Sequence, residues 1–253
     1  MFRPRIIPTL LLRNLGLVKS VGFKDYKYIG DPINAVKIFN DLKADELVFL
    51  DILASKEKRV ISLDFVLKVG DEANMPFSVG GGIRTIQAIK SVLRAGAEKV
   101  VINTYAVEDP SFIRKAADEF GSSTITVCID VKKKIFGKQQ VYIYGGSKST
   151  DLNPVSFAKR MEEMGAGELI INSVDRDGSM EGYDIELIKA VSDSVTIPVV
   201  ALGGAGKVED LNEAVQNGHA SAVAAGSMFV FHGPRRAVLI NYPQTEELKN
   251  IFK

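Results

Sequence analysis

Short β-branched apolar runs alternate with amphipathic stretches along the chain. This alternation predicts strands joined by helices, which is the pattern of βα units around a parallel sheet. The predicted strands cover residues 5–11, 46–52, 77–80, 99–103, 124–130, 168–173, 199–202 and 220–225. The helical patterns between them include residues 32–42, 85–94, 110–119, 154–164, 185–192 and 208–217. Eight strands, most of them followed by a helix, favour an α/β protein with the (β/α)8 TIM barrel fold.

The two halves of the chain share landmarks at a common offset of 122 residues. The offset relates helix starts, strand starts and glycine pairs, and this agreement predicts a duplicated half-barrel. We therefore predict a single barrel domain over residues 1–253, with half-barrels at about 1–122 and 123–253. The matching landmarks are Pro32 with Pro154, Glu46 with Glu168, Pro76 with Pro198, and Gly81-Gly82 with Gly203-Gly204.

Composition and charge exclude several classes of function. The 32 basic and 31 acidic residues leave no electrostatic footprint for nucleic acid or an anionic membrane. The single cysteine, Cys128, excludes an internal disulfide and fits a reducing compartment. No apolar run reaches the roughly 18 residues of a membrane span and the first residues do not resemble a signal peptide, so we expect a cytoplasmic protein. With only two histidines beside that cysteine, we expect no metal site and no cofactor.

Two glycine clusters each stand between a predicted strand and a predicted helix. They contain Gly81-Gly82 and Gly203-Gly204, at equivalent positions of the repeat. Glycine lets the backbone approach an anion closely, and the start of a helix supplies free amides and positive potential. A tight turn would explain one such cluster, but two equivalent clusters favour phosphate binding.

Further polar residues follow the other predicted strands. In a barrel these strand ends meet at one rim, where ligand-binding and catalytic groups collect. We therefore predict two anion sites that suit an elongated ligand with a phosphate at each end. The additional residues of this predicted site are Asn103, Thr104, Asp177, Gly178, Gly226 and Ser227.

Several segments, taken together, resemble the cyclase subunit family of imidazole glycerol phosphate synthase. The resemblance covers roughly residues 4–232 and implies a barrel that receives ammonia from a separate glutaminase docked at the amino-terminal ends of the strands. It also implies that ammonia passes through the barrel to a bisphosphorylated substrate at the other end. The segments are RII at 5–7, ELVFLDI at 46–52, VGGGI at 79–83, KVVINT at 99–104, DRDG at 175–178 and GGAGK at 203–207.

The resemblance implies that part of the family's catalytic machinery is absent. The family uses two aspartates, and the one on the fifth strand matches Asp130, whereas the one on the first strand falls on Leu11. Leucine can neither donate nor accept a proton, so Asp130 is either a rim residue or a surviving acid/base. Val101 and Leu202 stand where the family usually has serine, which suggests that ring closure is lost. Lys19 matches a family lysine that holds substrate.

Four charged residues stand at the starts of predicted strands, at positions with inward-facing parity. They are either ordinary solvent-facing charges or a ring of mutually neutralising ions, because an isolated buried ion is strongly disfavoured. They match the charged gate at the family's ammonia entrance, and the resemblance favours the ring. These residues are Arg5, Glu46, Lys99 and Glu168.

A changed catalytic end with a retained entrance is similar to cyclase-like paralogues associated with surface-polysaccharide (lipopolysaccharide) biosynthesis. There, a glutaminase and a cyclase-like barrel supply ammonia to a third protein that makes an acetamidino sugar. The resemblance implies a non-cyclising, ammonia-conducting subunit with a glutaminase and a sugar amidotransferase as partners. Cys128 lies inside a strand without a neighbouring histidine, so we do not expect this chain to hydrolyse glutamine itself.

Two alternatives stay open. The first is an active cyclase subunit of imidazole glycerol phosphate synthase in histidine biosynthesis, with Asp130 and Lys19 sufficient for catalysis. The second is a non-catalytic scaffold that activates the glutaminase when it binds a phosphate-bearing small molecule. A related sugar-phosphate isomerase is disfavoured, because that chemistry in sister barrels also uses the first-strand aspartate.

Overall fold

The computed structural model describes residues 3–134 and 137–252. The strands are β1 Arg5–Arg13, β2 Gly16–Val21, β3 Lys24–Gly30, β4 Leu47–Asp51, β5 Phe77–Gly80, β6 Lys99–Ile102, β7 Ile125–Lys133, β8 Gln139–Ile143, β9 Lys148–Ser149, β10 Glu168–Ser173, β11 Val199–Leu202, β12 Ala222–Ala225, β13 Phe231–His232 and β14 Ala237–Val238. The helices are α1 Pro32–Asp41, α2 Leu63–Glu72, α3 Ile86–Arg94, α4 Thr104–Glu108, α5 Ser111–Phe120, α6 Pro154–Glu163, α7 Ile185–Ser192, α8 Val208–Gln216 and α9 Thr245–Ile251.

Eight of the strands form a closed parallel sheet. They pair in the order β1, β4, β5, β6, β7, β10, β11 and β12, and β12 pairs with β1 to close the circle. Helices lie between successive barrel strands along the chain. The predicted (β/α)8 barrel is therefore confirmed.

The starts of α1 and α6 illustrate why these segments become helices. Asp31 and Asn153 accept hydrogen bonds from backbone amides of the first turn, and Pro32 and Pro154 each occupy the first helical position. Both helices are ten residues long and begin 122 residues apart. The duplication of a half-barrel stays a prediction, with which these matching helix starts agree.

Alternation along the barrel strands divides the core into two layers. One side of each strand packs against the helices and contains large residues such as Phe49 and Leu47. The other side fills the barrel with a separate apolar cluster. The inner cluster comprises Ile7, Val48, Val101, Cys128, Ile170, Val200, Leu202, Ala222 and Ala224.

The structure adds elements that the sequence pattern did not predict. The long first loop is a hairpin, because β1 continues to Arg13, turns at Asn14 and Leu15 with positive φ, and returns as β2 and β3. A second hairpin, β8 and β9, extends β7 in the same way. Helices α2, α4 and α9 were also not among the predicted helices. Within the described ranges, no helix combines the length and apolar character needed to cross a membrane.

Candidate functional site

A cavity of about 510 Å³ opens at the carboxyl ends of the barrel strands. Every residue that the sequence analysis assigned to the ligand-binding rim lines this cavity, together with Leu11, Val101 and Leu202. The barrel therefore brings together groups that are distributed along the whole chain. The assigned residues are Lys19, Gly81, Gly82, Asn103, Thr104, Asp130, Asp177, Gly178, Gly203, Gly204, Gly226 and Ser227.

The two glycine pairs adopt backbone conformations that favour glycine. Gly82 has φ 64° and Gly204 has φ 118°, and a Cβ atom at Gly204 would overlap the carbonyl oxygen of Gly182. The tight turns are therefore sufficient to explain glycine at these positions. Both turns also face the cavity, as a phosphate-binding role requires. That role stays a prediction.

Lys19 is buried at the cavity wall, and the half-buried Asp177 lies close enough for the two charges to act on each other. The Lys19 ammonium donates a hydrogen bond to the carbonyl oxygen of Thr9 at 2.6 Å. Burial lowers the pKa of Lys19 to about 8, although the nearby Asp177 charge opposes this change. Burial raises the pKa of Asp177 to about 6, and Lys19 opposes that change. The sequence predicted Asp177 as part of a ligand-binding turn. In the structure it is also a cavity residue that changes its charge near neutral pH.

Asp130 lies near the end of β7 and is buried. The Asn172 Nδ2 atom donates to one carboxylate oxygen at 2.9 Å, and the Asn103 Nδ2 atom donates to the other at 3.2 Å. Burial raises the pKa of Asp130 to about 7, with the Asp177 charge adding to the rise and the two amides opposing it. Near neutral pH Asp130 can therefore either donate or accept a proton.

Leu11, where the resemblance places a family aspartate, has no ionisable partner in the register of the adjacent strands. Leu11 is paired with Val18 on β2 and with Leu50 on β4, and none of these side chains is ionisable. Among the described residues, the carboxylates that line the cavity are Asp51, Glu108, Asp130 and Asp177. Asp51 is held by the Arg59 guanidinium and by backbone amides in the following turn.

The four predicted ions form a closed ring at the amino-terminal ends of the strands. Arg5 bridges the carboxylates of Glu46 and Glu168. On the other side, the Lys99 ammonium lies 3.4 Å from Glu46 and 3.2 Å from Glu168. Both glutamates are buried, so solvent-facing strand charges do not describe this set.

Two hydroxyl groups complete the hydrogen bonding of the ring. Ser78 donates to Glu46 at 2.9 Å, and Thr126 donates to Glu168 at 3.4 Å. Two cations, two anions and these hydroxyls satisfy one another, which lowers the cost of burying the charges. The role of the ring as a gate stays a prediction.

Other cavity residues were not identified from the sequence. Asn172 shares its strand face with Glu168, so alternation along β10 could have revealed it. Tyr26 was missed because the first hairpin was not predicted, and its ring lies 5.0 Å from the Arg13 guanidinium. Burial and the Asp177 charge raise the pKa of Tyr26.

The surroundings of Cys128 and of the acidic and histidine side chains bear on thiol chemistry and on metal binding. Burial raises the pKa of Cys128 well above its usual value, so its thiol stays protonated and is a poor nucleophile. In the portion of the chain that the structure describes, no group of three or more His, Cys, Asp or Glu side chains is arranged to hold a metal ion.

Comparisons with known proteins agree with the family resemblance seen in the sequence. The family model described as histidine biosynthesis protein matches residues 5–234. A Leptospira interrogans protein, provisionally named imidazole glycerol phosphate synthase subunit HisF, is 44% identical over 253 residues, which is 100% of both chains.

Two further relatives carry similar names. A Pseudomonas aeruginosa protein, provisionally named subunit hisF2 of the same synthase, is 45% identical over 248 residues, covering 98% of this chain and 99% of the relative. An Alkaliphilus metalliredigens protein named imidazole glycerol phosphate synthase subunit HisF is 45% identical over 232 residues, or 92% of each chain. These matches confirm the resemblance found in the sequence. The chain belongs to the histidine biosynthesis protein family and, within it, to the HisF-like cyclase subunits of imidazole glycerol phosphate synthase.

Proposed function

We propose that the chain is a non-cyclising, ammonia-conducting subunit of a glutamine-dependent amidotransferase. A separate glutaminase releases ammonia at the amino-terminal face of the barrel. The ammonia crosses the barrel and is used, by a sugar amidotransferase at the opposite rim, to amidinate a nucleotide-linked sugar for surface-polysaccharide biosynthesis. The observation that carries the proposal is the contrast between the complete ionic ring at one end and Leu11 at the other.

The barrel interior supports conduction of a small neutral molecule. Above the ring, the inner wall consists of the apolar cluster that includes Val48, Val101, Ile170 and Leu202. Ammonia can enter such a wall without the desolvation penalty of an ion. The ring itself must open for passage, and Arg5 is its more accessible cation, with a side chain that is 34% exposed against 15% for Lys99.

The chemistry of the rim supports loss of ring closure. A reaction that needs two proton-transferring groups is impaired when one is replaced by leucine. Val101 and Leu202 are buried in the apolar cluster, so this part of the chamber offers a substrate no hydroxyl groups. We infer that the rim serves as an exit and docking face, while its two glycine turns retain the capacity to bind phosphate.

A second candidate function is favoured by a specific observation. Asp130 and Asp177 both line the cavity with a pKa near neutrality, at about 7 and about 6. Asp177 could therefore supply the second proton-transferring group, with Lys19 holding the substrate. This second candidate function is that of an active cyclase subunit in histidine biosynthesis. The names of the relatives fit it. The third reading, a phosphate-responsive activator of the glutaminase, predicts activation without retention of ammonia.

Isotope partitioning tests the main proposal. The chain, its cognate glutaminase and the sugar amidotransferase are mixed with glutamine that carries ¹⁵N in its amide, in the presence of excess unlabelled ammonium. Conduction predicts that the product retains the label despite the unlabelled pool. A product labelled in proportion to the bulk ammonium, or no complex with the glutaminase, would overturn the proposal.

Genetic complementation separates the two enzymatic readings. We expect the wild-type gene to fail to restore growth of a histidine auxotroph that lacks its own cyclase subunit. Growth equal to that given by the auxotroph's own cyclase would favour the active-cyclase reading. The Leu11→Asp variant restores the missing carboxylate, and growth with this variant alone would identify Leu11 as the cause of the loss.

A further inference from the structure

Asn172 has an acceptor atom that the protein leaves without a partner. Its Nδ2 atom donates to Asp130, but its buried Oδ1 atom has no hydrogen-bond partner among the described residues. Burying an acceptor without a hydrogen bond is unfavourable, because the acceptor loses its bond to water and gains none in return. Asn172 lines the cavity, and Gly203 packs closely against this oxygen, since a Cβ atom there would lie only 2.7 Å from it.

The orientation of the Asn172 amide is set by its neighbour. When Asp130 is ionised, the opposite orientation would place Oδ1, rather than a donor, against the carboxylate oxygen that now lies 2.9 Å from Nδ2. Asn103 provides a useful contrast, because its Nδ2 atom also donates to Asp130 but its Oδ1 atom accepts a hydrogen bond from Thr104 at 3.3 Å. The unmet acceptor is thus a property of Asn172 and is not shared by the second amide at Asp130.

Asp130 offers further acceptor capacity at the same place. Each carboxylate oxygen has two lone pairs. Asn172 Nδ2 and, more distantly at 3.9 Å, the Cys128 thiol donate to Oδ1, whereas Asn103 Nδ2 is the one donor to Oδ2, so a lone pair of Oδ2 remains free among the described residues. Asp130 and Asn172 are direct neighbours in the sheet register of β7 and β10. The layer below them is apolar and includes Cys128 and Ile170, whereas the cavity opens above. A small ligand with several N–H donors would satisfy both residues.

We propose that Asp130 and Asn172 form a holding site in which ammonia that leaves the barrel interior is bound as ammonium. Ammonia takes the proton of the neutral Asp130 carboxyl group: the O–H bond breaks and a fourth N–H bond forms. The resulting ammonium donates hydrogen bonds to the Asp130 carboxylate and to Asn172 Oδ1. When the proton returns to Asp130, neutral ammonia is released toward the acceptor and the site is restored. The inference rests on the proposed function, because ammonia reaches this site only if the barrel conducts it.

The ionisable surroundings permit this exchange. Three titratable groups act on Asp130 or lie beside it: Cys128 on β7, Asp177 in the turn after β10, and Tyr26 on β3. Burial keeps the Cys128 thiol protonated, and the pKa of Tyr26 is raised, so both stay neutral near pH 7. Since the pKa of Asp130 is about 7, its neutral form is available to protonate the incoming molecule.

The isolated chain allows a direct test with ammonium as the probe. The protein is labelled with ¹³C at aspartate carboxyl groups, and the Asp130 signal is followed by NMR while ammonium chloride replaces potassium chloride at constant ionic strength. We expect a saturable shift and a lower pKa of Asp130 in ammonium, because ammonium has N–H donors that potassium lacks. Equal responses to both ions, or a response without saturation, would overturn the holding site.

Two amide variants provide a matched comparison. Asn172→Leu and Asn103→Leu each remove one donor from Asp130, but only the first removes the unpartnered acceptor. We expect Asn172→Leu to weaken ammonium binding by about tenfold or more, and Asn103→Leu by about threefold or less. Equal losses in the two variants would contradict the assignment. If either variant does not fold, the wild-type comparison of ammonium with potassium still decides the question.

The isotope experiment separates failure of this site from failure of the proposed function. Undiminished label retention by a complex that contains Asn172→Leu would eliminate the holding site and leave conduction intact. Saturable ammonium binding by a wild-type chain that shows no label retention would eliminate conduction and leave the site intact.

Discussion

Removing one charge from the ionic ring tests whether its members act as a unit. Glu168 accepts hydrogen bonds from Arg5, Lys99 and Thr126, and its side chain is 8% exposed. The Glu168→Gln variant keeps the shape of this side chain but removes its charge. Arg5 and Lys99 would then share Glu46 as their carboxylate partner, and the ring would carry an uncompensated positive charge.

The expected magnitude follows from burial. Breaking a buried ion pair by removing one partner costs about 3–5 kcal/mol. We take about 3 kcal/mol, the low end of that range, because glutamine can retain hydrogen bonds and because water screens Arg5. For a chain of this length each kcal/mol changes Tm by about 2–4 °C, so we expect Tm to fall by about 6–12 °C.

Thermal unfolding followed by circular dichroism, together with urea unfolding, measures this effect. Glu163 is exposed, so Glu163→Gln makes the same chemical change outside the ring and should move Tm by less than about 2 °C. Adding Lys99→Met to Glu168→Gln rebalances the ring, and the double variant should be more stable than the sum of the single effects by about 1 kcal/mol. Equal Tm changes for the two glutamine variants, or strict additivity in the double variant, would refute the coupled ring.

Two further predictions concern the rim. Because the folded-state pKa of Asp130 is about 7 rather than 3.8, the folded chain keeps a proton that the unfolded chain loses, and stability should fall as pH rises between these values. Relative to wild type, Asp130→Asn should therefore gain up to about 4 kcal/mol of unfolding free energy between about pH 4 and pH 8. Urea unfolding at several pH values measures this difference, and a pH-independent difference would contradict the raised pKa. Gly204→Ala should lower stability by more than Gly121→Ala, whose expected cost is about 1 kcal/mol, because both positions have positive φ but only Gly204 is closely packed. Equal thermal shifts would argue against that packing.

Much of the fold could be predicted because its determinants are local. Phe77–Gly80, Glu168–Ser173 and Val199–Leu202 have the predicted strand bounds, since each short apolar run begins just after a proline or a glycine. The hairpin Gly16–Val21 with Lys24–Gly30 was missed because its residues mix polar and apolar types without a clear period. Its buried positions, including Lys19, are set by the rim on which it folds.

Some features of the candidate site could likewise be predicted from local sequence, whereas others depend on how the strands are paired. Arg5 and Leu11 lie on the same face of one strand, at opposite ends of the barrel, because side chains alternate along a strand. This placement can be predicted from the sequence. The hydrogen bond between Asn172 and Asp130 joins residues that are 42 positions apart, on strands whose register depends on closure of the sheet. That contact, and the acceptor it leaves unpartnered, could not be read from the order of residues.

The sequence by itself therefore determined the barrel, the residue types at its two ends and the absence of a carboxylate at Leu11, because strand alternation and turn preferences are properties of neighbouring residues. The tertiary structure decided which groups titrate near neutrality. Lys19, Asp130 and Asp177 have ordinary side chains, and their pKa values of about 8, 7 and 6 arise from burial and from one another's charges. Desolvation and Coulomb interactions depend on distances in space, which only the closed barrel fixes.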